Sequence, residues 1–334
     1  MYQEKTLTLN PLIQRNMFVK SFLIAFALLL FAASGVQAQQ DPLFTNYMFN
    51  NLYVTPAFAG VDGVTRLTAF YRNQWTGYQA FGGTGGAPIT QMVSFNTPIY
   101  KTRGGFGAYV LNDDLGPLNN LEAQIMYAQH LGIKDNKLSI AVKLGAFSQS
   151  IDWSKYRPTQ QNDPVLQDGI DSQVKPDLGF GLFYRSEKYY AGVGFNHLLK
   201  SQFDFGVNEV RNQLENHVNF TAGYFYEMSF DLNFQFSTLV KTDLNKTSVD
   251  LSALAFYKSK MWGGLGFRQS EAASVLLGYS FLKDRSLRFG YSMDYIVRAQ
   301  DAKQPTSHEF MLSYELPINP GSGKKIVRTP RYRH

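Results

Sequence analysis

Histidine is the side chain that most often carries acid–base or metal chemistry near neutral pH. The 334-residue chain has five of them, at His130, His197, His217, His308 and His334. A hydrolase would pair one with a serine and an orienting Asn or Asp, and no short motif marks such a serine. His197, His217 and His308 could share a metal ion, but they show no ligand spacing and the chain has no cysteine. From the sequence we therefore expect neither catalytic activity nor a metal site nor a bound cofactor. We interpret His197, His217 and His308 as polar residues at one end of the fold.

Two other stretches contain residue types that can bind phosphate or cations. Residues 82–86 read Gly-Gly-Thr-Gly-Gly, but they lack the Lys-Ser/Thr pair and the following helix of a phosphate-binding loop. Asp163, Asp168 and Asp171 have neither the spacing of a calcium loop nor its closing Glu. Both stretches are therefore predicted to be loops without a bound ligand.

The N-terminus is typical of an exported protein. Residues 21–33 are apolar, but a membrane-spanning helix needs ~20 such residues. Lys20 precedes the apolar run, and Val36-Gln-Ala38 follows it as a small-residue cleavage pattern. We predict that residues 1–38 are a cleaved signal peptide, with Met17 as an alternative start, and that the fold begins at Gln39.

The composition of the mature chain excludes disulfide bonds and argues against a basic binding face. Without cysteine, covalent cross-links cannot stabilise it. The net charge is +6, but most of the excess of basic over acidic residues lies in the tail, residues 317–334, and the rest is close to neutral. Nucleic acid is therefore not a predicted partner. The absence of a Pro/Ser-rich linker favours one large closed architecture over two domains.

From residue 64 onward, apolar and polar side chains alternate. Residues 230–237, for example, read Phe-Asp-Leu-Asn-Phe-Gln-Phe-Ser, which puts every apolar side chain on one face of an extended strand. Alternation over about ten residues, repeated along the chain, is typical of a transmembrane β-barrel, and an even strand number suits a bacterial one. About 14 strands are predicted, at residues 64–74, 89–98, 104–112, 120–132, 137–150, 176–186, 188–198, 216–228, 230–241, 246–258, 261–269, 273–283, 286–296 and 306–316.

The connections and the aromatic residues distinguish a membrane barrel from a soluble β protein. Every second connection is tight, and the long ones, residues 75–88, 151–175, 199–215 and 297–305, fall between them. Outer-membrane barrels have short periplasmic turns, so both termini are predicted to be periplasmic. Aromatic residues make up 15% of the chain and gather near strand ends, where a membrane has its water boundary. A soluble sandwich or propeller would also alternate but needs no such bands. We therefore predict an all-β antiparallel barrel over residues 64–316, integral to the outer membrane.

The inward faces of such a barrel would line its lumen. The mixed signs of the inward charges argue against a strongly ion-selective pore and favour pairing across the lumen. About 14 strands enclose more space than side chains fill, so either a plug or water is expected there. The predicted lumen-lining charges are Arg66, Arg72, Glu122, Lys143, Asp231, Asp250, Arg288, Asp294, Glu309 and Glu315.

A set of short motifs runs through the mature chain: Asp41-Pro42, Phe44, Tyr47-Met-Phe-Asn50, Pro56-Ala-Phe-Ala-Gly60, Asn162-Asp-Pro164, Lys175 to Tyr184 and Lys188 to Leu199. Together these motifs resemble the PorP/SprF family of type IX secretion and gliding-motility membrane proteins of the Bacteroidota. The resemblance spans nearly all of the mature chain, although Thr55-Pro-Ala57 stands where the family usually has Asn-Pro-Ala.

The resemblance implies a barrel of the type IX pathway without catalytic residues. Family members are associated with secreted adhesins, whose C-terminal sorting domains they help export or hold at the surface, and with periplasmic secretion or motility components. Residues 39–63 are then predicted to be a periplasmic or plug segment, because aromatic residues that cannot reach lipid must be buried against protein. The predicted partner-binding residues are Phe44, Tyr47, Phe49, Tyr53, Phe58, Tyr78, Trp153 and Tyr156.

Two functions remain open from the sequence. In the first, the protein is a scaffold in outer-membrane lipid that docks a secreted substrate through its outer loops, while the basic tail contacts periplasmic partners. In the second, it is a transport channel for small solutes.

Overall fold

The computed structural model describes residues 41–79, 86–156, 169–205, 211–298 and 303–316. The predicted signal peptide and the basic tail lie outside these ranges, as do His334, Asp163, Asp168 and most of the glycine-rich stretch. Within the described ranges, no helix has the length and the apolar character that crossing a membrane requires.

Among the described residues, fourteen strands close into an antiparallel barrel and two more form a small separate sheet. The barrel closes at a seam between the first and last strands, where Arg66 lies opposite Glu315 and Asn73 opposite His308. The predicted barrel of about 14 antiparallel strands is confirmed. In chain order the strands are β1 (Arg66–Asn73), β2 (Ile89–Ile99), β3 (Gly104–Asp114), β4 (Leu118–Ile133), β5 (Asn136–Asp152), β6 (Ile170–Arg185), β7 (Tyr189–Asn196), β8 (Gln202–Asp204), β9 (Arg211–Gln213), β10 (His217–Glu227), β11 (Leu232–Thr242), β12 (Thr247–Tyr257), β13 (Met261–Arg268), β14 (Ala272–Phe281), β15 (Leu287–Ile296) and β16 (Thr306–Glu315).

Two details differ from the predicted strands. β6 begins at Ile170 rather than at residue 176, so β4, β5 and β6 are the longest strands described. The loop predicted over residues 199–215 contains the β8–β9 hairpin. Because this hairpin stands outside the wall, β7 pairs directly with β10.

The two ends of the barrel have different connections. At one end, called the turn end below, only Lys134 and Asp135 connect β4 to β5, and β1 begins and β16 ends there. Left-handed backbone conformations at Arg103, Lys134 and Ser259 tighten these turns. At the opposite end, the loop end, 17 residues from 153 to 169 separate β5 from β6. As predicted, all the long connections lie at the loop end, although three others at that end, residues 115–117, 243–246 and 269–271, are as short as the turns.

The wall reverses the usual distribution of charged and apolar side chains. In β5, Lys143 is 1% exposed, whereas the next residue, Leu144, is 54% exposed. In β11, Phe236 is 47% exposed and Ser237 is 6% exposed. Soluble proteins almost never bury a lysine while presenting a row of leucines and phenylalanines outside. The outer face of the wall is therefore suited to lipid.

An apolar core lies at the loop end, on one side of the barrel. The long strands β4 to β6 extend there, and the β8–β9 hairpin packs against them. Trp153 is anchored by a 2.9 Å hydrogen bond from its Nε1 to the Asp171 carboxylate. We call this core the loop-end cluster; its buried members are Phe147, Ile151, Trp153, Phe203, Phe205 and Leu214.

Candidate functional site in the barrel interior

Residues 41–63, called the N-terminal segment below, lie inside the barrel. The chain forms a 3-10 turn at Tyr47–Phe49, a one-turn α-helix at Asn51–Val54 and a second 3-10 turn at Pro56–Phe58. Local interactions stabilise the start of the second 3-10 turn. The Thr55 side chain accepts a hydrogen bond from the Ala57 amide, and Pro56 occupies the first position, where no amide proton is needed. These short turns let the chain fold compactly within the wall.

The segment runs lengthwise through the lumen. Asp41 contacts His197, just after the loop end of β7. Val61 accepts a hydrogen bond from the Lys137 ammonium group at the turn end of β5. Sequence parity predicts both chain termini on the side of the turns, but the first described residue lies toward the loop end. The difference arises because the chain passes back through the barrel before β1 begins.

The aromatic residues of the segment pack against aromatic residues of the wall. The Phe44 ring lies 5.4 Å from the Phe70 ring, measured between centroids, and the Phe58 ring lies 5.3 Å from the Phe183 ring. Phe49 packs on Trp262, with the ring centroids 5.3 Å apart. Such pairs contribute about 0.5–1.5 kcal/mol each beyond the area that they bury.

Glycines in the wall make room for the backbone of the segment. A Cβ atom on Gly105 of β3 would lie 2.1 Å from the carbonyl oxygen of Ala59. A Cβ atom on Gly194 of β7 would lie 2.2 Å from the carbonyl oxygen of Val54. Real Cβ contacts are never this short, so both positions require glycine for the segment to lie where it does.

A network of buried charges joins the segment to β1, β15 and β16. The guanidinium group of Arg72 lies 2.7 Å from Asp294 and 3.2 Å from Glu309. The backbone amides of Thr45 and Asn46 donate to the Glu309 carboxylate at 2.7 and 2.8 Å. Buried backbone amides need such partners, so Glu309 serves both the wall and the segment. The charges predicted at Arg72, Asp294 and Glu309 thus lie inside and pair.

A second polar network lies deeper toward the loop end. His197 bridges two carboxylates, with Nε2 3.1 Å from Asp41 and Nδ1 3.1 Å from Asp177. The Lys143 ammonium group lies 3.8 Å from Asp177. Burial alone would raise the pKa of Asp41, but the nearby His217 and His197 outweigh burial and hold this pKa well below its ordinary value of 3.8. The side chain of Asp41 is held in place by its contact with His197.

A third network closes the turn end. Arg66 bonds Asp62 at 2.7 Å and Glu315 at 2.9 Å, and Arg288 bonds Glu315 at 2.7 Å. Burial opposes ionisation of Asp62, but Arg66 and Arg185 hold its pKa below the ordinary 3.8. The network ties the last residues of the segment to both strands of the seam.

The remaining predicted lumen charges are also accounted for. Glu122 accepts a hydrogen bond from the Tyr109 hydroxyl at 2.9 Å, and Asp250 pairs with Arg268 at 2.7 Å. Asp231 differs from the prediction, because β11 begins only at Leu232 and Asp231 lies half-buried in the preceding turn.

The predicted partner-binding residues fall into two groups. Phe44, Tyr47, Tyr53 and Phe58 are buried inside the barrel, as is most of Phe49, so none of the five offers a surface to another protein. The other three lie at the loop end: Trp153 is buried, Tyr78 is half-buried and Tyr156 is 42% exposed.

Sequence reasoning missed several residues that hold the segment. Thr45, Asn46 and Asp177 bond across the interior, yet none was singled out for this role. Asp177 follows the inward parity of β6, which could have identified it. His197 and His217 come together because β7 pairs with β10, which sets Asn196 opposite His217. His308 lies apart and bonds the Tyr291 hydroxyl at 2.8 Å.

A small cavity lies between the segment and the wall. Its volume is about 10 Å³, and it lies beside Phe44, Tyr53 and Lys241. That volume is at the lower limit for one water molecule. Lys241 donates to the Pro42 carbonyl at 2.8 Å across it.

Solved structures similar to this chain are outer-membrane proteins of low sequence identity. The toluene transporter TbuX of Ralstonia pickettii is 11% identical, with a TM-score of 0.48, over 80% of this chain and 93% of that one. Omp33 of Acinetobacter baumannii is 6% identical, with a TM-score of 0.45, over 76% and 98% of the two chains. A Pseudomonas aeruginosa FadL homologue is 12% identical, with a TM-score of 0.42, over 75% and 90%.

The sequence was also compared with curated proteins and with known protein families. A search of the curated proteins finds no match. Residues 36–314 match the family described as type IX secretion system membrane protein PorP/SprF, which covers the N-terminal segment and nearly the whole barrel. The resemblance read from the sequence motifs is confirmed. The chain therefore belongs to the PorP/SprF family of type IX secretion system membrane proteins.

Proposed function

We propose that the protein is a non-enzymatic docking barrel of the type IX secretion and gliding-motility pathway, which holds the C-terminal domain of a secreted adhesin-type substrate. The observation that carries this proposal is the N-terminal segment inside the lumen, fixed by the ion pairs and hydrogen bonds of Arg72, Glu309 and His197. An interior occupied in this way serves poorly as a conduit. The ends of the barrel are then the surfaces available to partners.

The loop end supports docking by its rigidity and its exposed apolar residues. The loop-end cluster packs Trp153, Phe203, Phe205 and Leu214 into one core, so less conformational entropy of these residues is lost when a partner binds. Near it, Ile170 is 69% exposed and Val174 is 65% exposed on β6. Exposed apolar side chains grouped at one site often mark protein interfaces. Tyr156 adds an aromatic side chain to this surface.

We place the turn end in the periplasm, following the rule that bacterial barrels have their short turns on that side. The basic tail, residues 317–334, follows β16 at the turn end and would meet acidic periplasmic components of the secretion or motility machinery. The apolar outer faces would contact outer-membrane lipid.

The proposal is tested by purifying the tagged full-length protein from detergent-solubilised outer membranes and identifying its partners by mass spectrometry. We expect a large secreted protein to co-purify with the wild type and to be lost from an Ile170→Asp/Val174→Asp variant. The matched control is Met228→Asp, which puts the same change on a 62% exposed side chain at the turn end.

Retention of the secreted protein by the loop-end variant would contradict docking at this surface. Absence of any secreted partner, together with steady ion conductance of the wild type in planar bilayers, would instead support a solute channel.

A further inference from the structure

Three potential metal ligands from separate parts of the chain meet toward the loop end of the lumen. They are Asp41 of the N-terminal segment, His197 after β7 and His217 at the start of β10, and one ligand atom from each lies within 4.8 Å of the others. The Asp41 Oδ1 atom lies 3.1 Å from His197 Nε2 and 3.8 Å from His217 Nδ1. All three residues are buried, at 4%, 1% and 0% exposure.

Two polar atoms of this cluster lack a hydrogen-bond partner. Asp41 Oδ2 and His217 Nε2 are both buried and make no hydrogen bond. Leaving such an atom unsatisfied costs about 1–3 kcal/mol, and more when the group is charged. Both atoms belong to residues with metal-ligand chemistry, and a cation bound by Asp41 and His217 would satisfy them.

The surroundings of the two imidazole rings resemble the outer shell of a metal site. His197 Nδ1 bonds the Asp177 carboxylate at 3.1 Å, and Asp177 also accepts from the Gln124 amide at 2.8 Å. His217 Nδ1 donates to the Glu215 carbonyl at 3.0 Å, which leaves the lone pair on its Nε2. Metal-bound histidines almost always have the second nitrogen held by a carboxylate or a backbone carbonyl in this way.

We propose that Asp41, His197 and His217 bind a divalent transition-metal ion of the zinc class, which fastens the start of the N-terminal segment to the barrel wall. Two imidazoles and one carboxylate are an established ligand set for Zn²⁺, with a fourth position for water or the second carboxylate oxygen. This site departs from the sequence-based expectation of no metal.

The geometry requires only a small adjustment. Ligand atoms around tetrahedral Zn²⁺ lie about 3.3 Å apart, given metal–ligand bonds of about 2.0–2.2 Å. The Asp41–His197 pair already has such a separation, and the His217 ring has to approach by about half an ångström. The 3.8 Å separation is measured to Nδ1 of His217, so binding through this nitrogen replaces its bond to the Glu215 carbonyl, and binding through Nε2 instead requires the ring to turn.

The location suits a structural ion. Phe147 of the loop-end cluster packs edge-on against His197, with the ring centroids 5.6 Å apart, and covers this side of the site. Each ligand comes from a different element, so the ion would join the segment to two strands of the wall. The proposed metal site does not depend on the proposed docking function, and either proposal can fail without the other.

A protonated His197 between Asp41 and Asp177 is the rival arrangement, since an imidazolium also satisfies both carboxylates. It would leave His217 Nε2 and Asp41 Oδ2 without partners. In that case the protein should bind no metal at this site, and both nitrogens of His197 should carry protons.

The test uses the full-length protein, purified in detergent without a polyhistidine tag, stripped with a chelator and titrated with Zn²⁺ alone by calorimetry. We expect one Zn²⁺ per chain, and Co²⁺ in its place should give the visible absorption of a four-coordinate site. Affinity should fall at least tenfold in Asp41→Asn and His217→Gln. The matched control is His308→Gln, which should bind like the wild type because His308 lies apart.

Heat-modifiable gel migration establishes that each variant is a folded barrel before its binding is compared. Asp41→Asn keeps the size of the side chain and changes a residue outside the barrel wall, so it provides the comparison if His217→Gln does not fold. Zn²⁺ binding by Asp41→Asn as tight as by the wild type, or no binding by the wild type, would overturn the proposal in favour of the imidazolium.

Discussion

The Thr45 hydroxyl of the N-terminal segment accepts a 2.8 Å hydrogen bond from the Arg72 guanidinium group of β1. The same hydroxyl lies 2.8 Å from both carboxylate oxygens of Asp294, to which it can donate its proton. Arg72 itself is 1% exposed. A small polar side chain of the segment thus completes a charge network that the wall could not satisfy alone.

Replacing Arg72 with Met should destabilise the folded barrel strongly. The change leaves Asp294 and Glu309 buried without their closest cation, and breaking a buried pair in this way costs about 3–5 kcal/mol. Urea unfolding of the protein in detergent, followed by gel migration, measures the loss.

The matched control for this prediction is Arg288→Met, whose guanidinium group at the turn end is 15% exposed and pairs with Glu315. A smaller loss is expected there. The double change Arg72→Met/Asp294→Asn should recover part of the stability, and equal losses from Arg72→Met and Arg288→Met would contradict the prediction.

Replacing Gly105 with Ala should displace the segment without opening the wall. The added Cβ would meet the Ala59 carbonyl at 2.1 Å, and backbone cannot yield as a flexible side chain does. Because the chain has no cysteine, Ala57→Cys provides a single label site at a residue with 0% exposure. We expect a maleimide to label the Ala57→Cys protein slowly. The same protein with Gly105→Ala added should be labelled at least tenfold faster.

Gly263→Ala is the control for this labelling, because its Cβ would have its nearest neighbour at 3.4 Å, an ordinary contact. Equal labelling rates in the Gly105→Ala and Gly263→Ala proteins would mean that the segment is not held against β3.

Deleting residues 41–63 should turn a silent barrel into a conducting one. The segment occupies the lumen between Lys137 at one end and His197 at the other, and its removal would admit water to a polar interior. Single-channel recording in planar bilayers measures the difference, with the intact protein as reference. Equal conductance of the two proteins would show that the segment does not block the lumen.

Acidification should loosen the turn end through Asp62. A carboxyl whose folded pKa lies below its ordinary value contributes stability that is present above pH 3.8 and is lost as the pH falls through the folded pKa. Because the Asp62 side chain is 24% exposed, we expect a contribution of about 0.5–1 kcal/mol.

The measurement is the midpoint of unfolding between pH 6 and pH 3 for the wild type and for Asp62→Asn. The two proteins should converge as the pH falls, because the wild type loses the pair that the variant lacks. A constant difference across this range would mean that Asp62 does not titrate as argued.

Alternation was sufficient to predict the wall. A strand between lipid and a lumen must change side-chain type at every residue, which is why Leu144 follows Lys143 and Ser237 follows Phe236. The number of strands and the order of short and long connections followed from the same signal. The turn residues needed no tertiary information.

The contents of the lumen could not be read in the same way. Asn46 and Thr45 carry no periodic signal, and their partners lie more than 200 residues away in sequence. Strand parity placed His197 and His217 at the same end, but only the direct pairing of β7 with β10 makes them neighbours. β7 pairs with β10 because the β8–β9 hairpin between them stays out of the wall. The sequence predicted this hairpin only as a loop.

The seam between β1 and β16 has a consequence for biogenesis. Thr45 and Asn46 bond Arg72 on the first strand and Glu309 on the last, so the segment bridges the two edges that must find each other when the cylinder closes. We therefore expect insertion of residues 41–63 and closure of the cylinder to be cooperative. A ring whose interior is still vacant lacks these bonds across its closing edge.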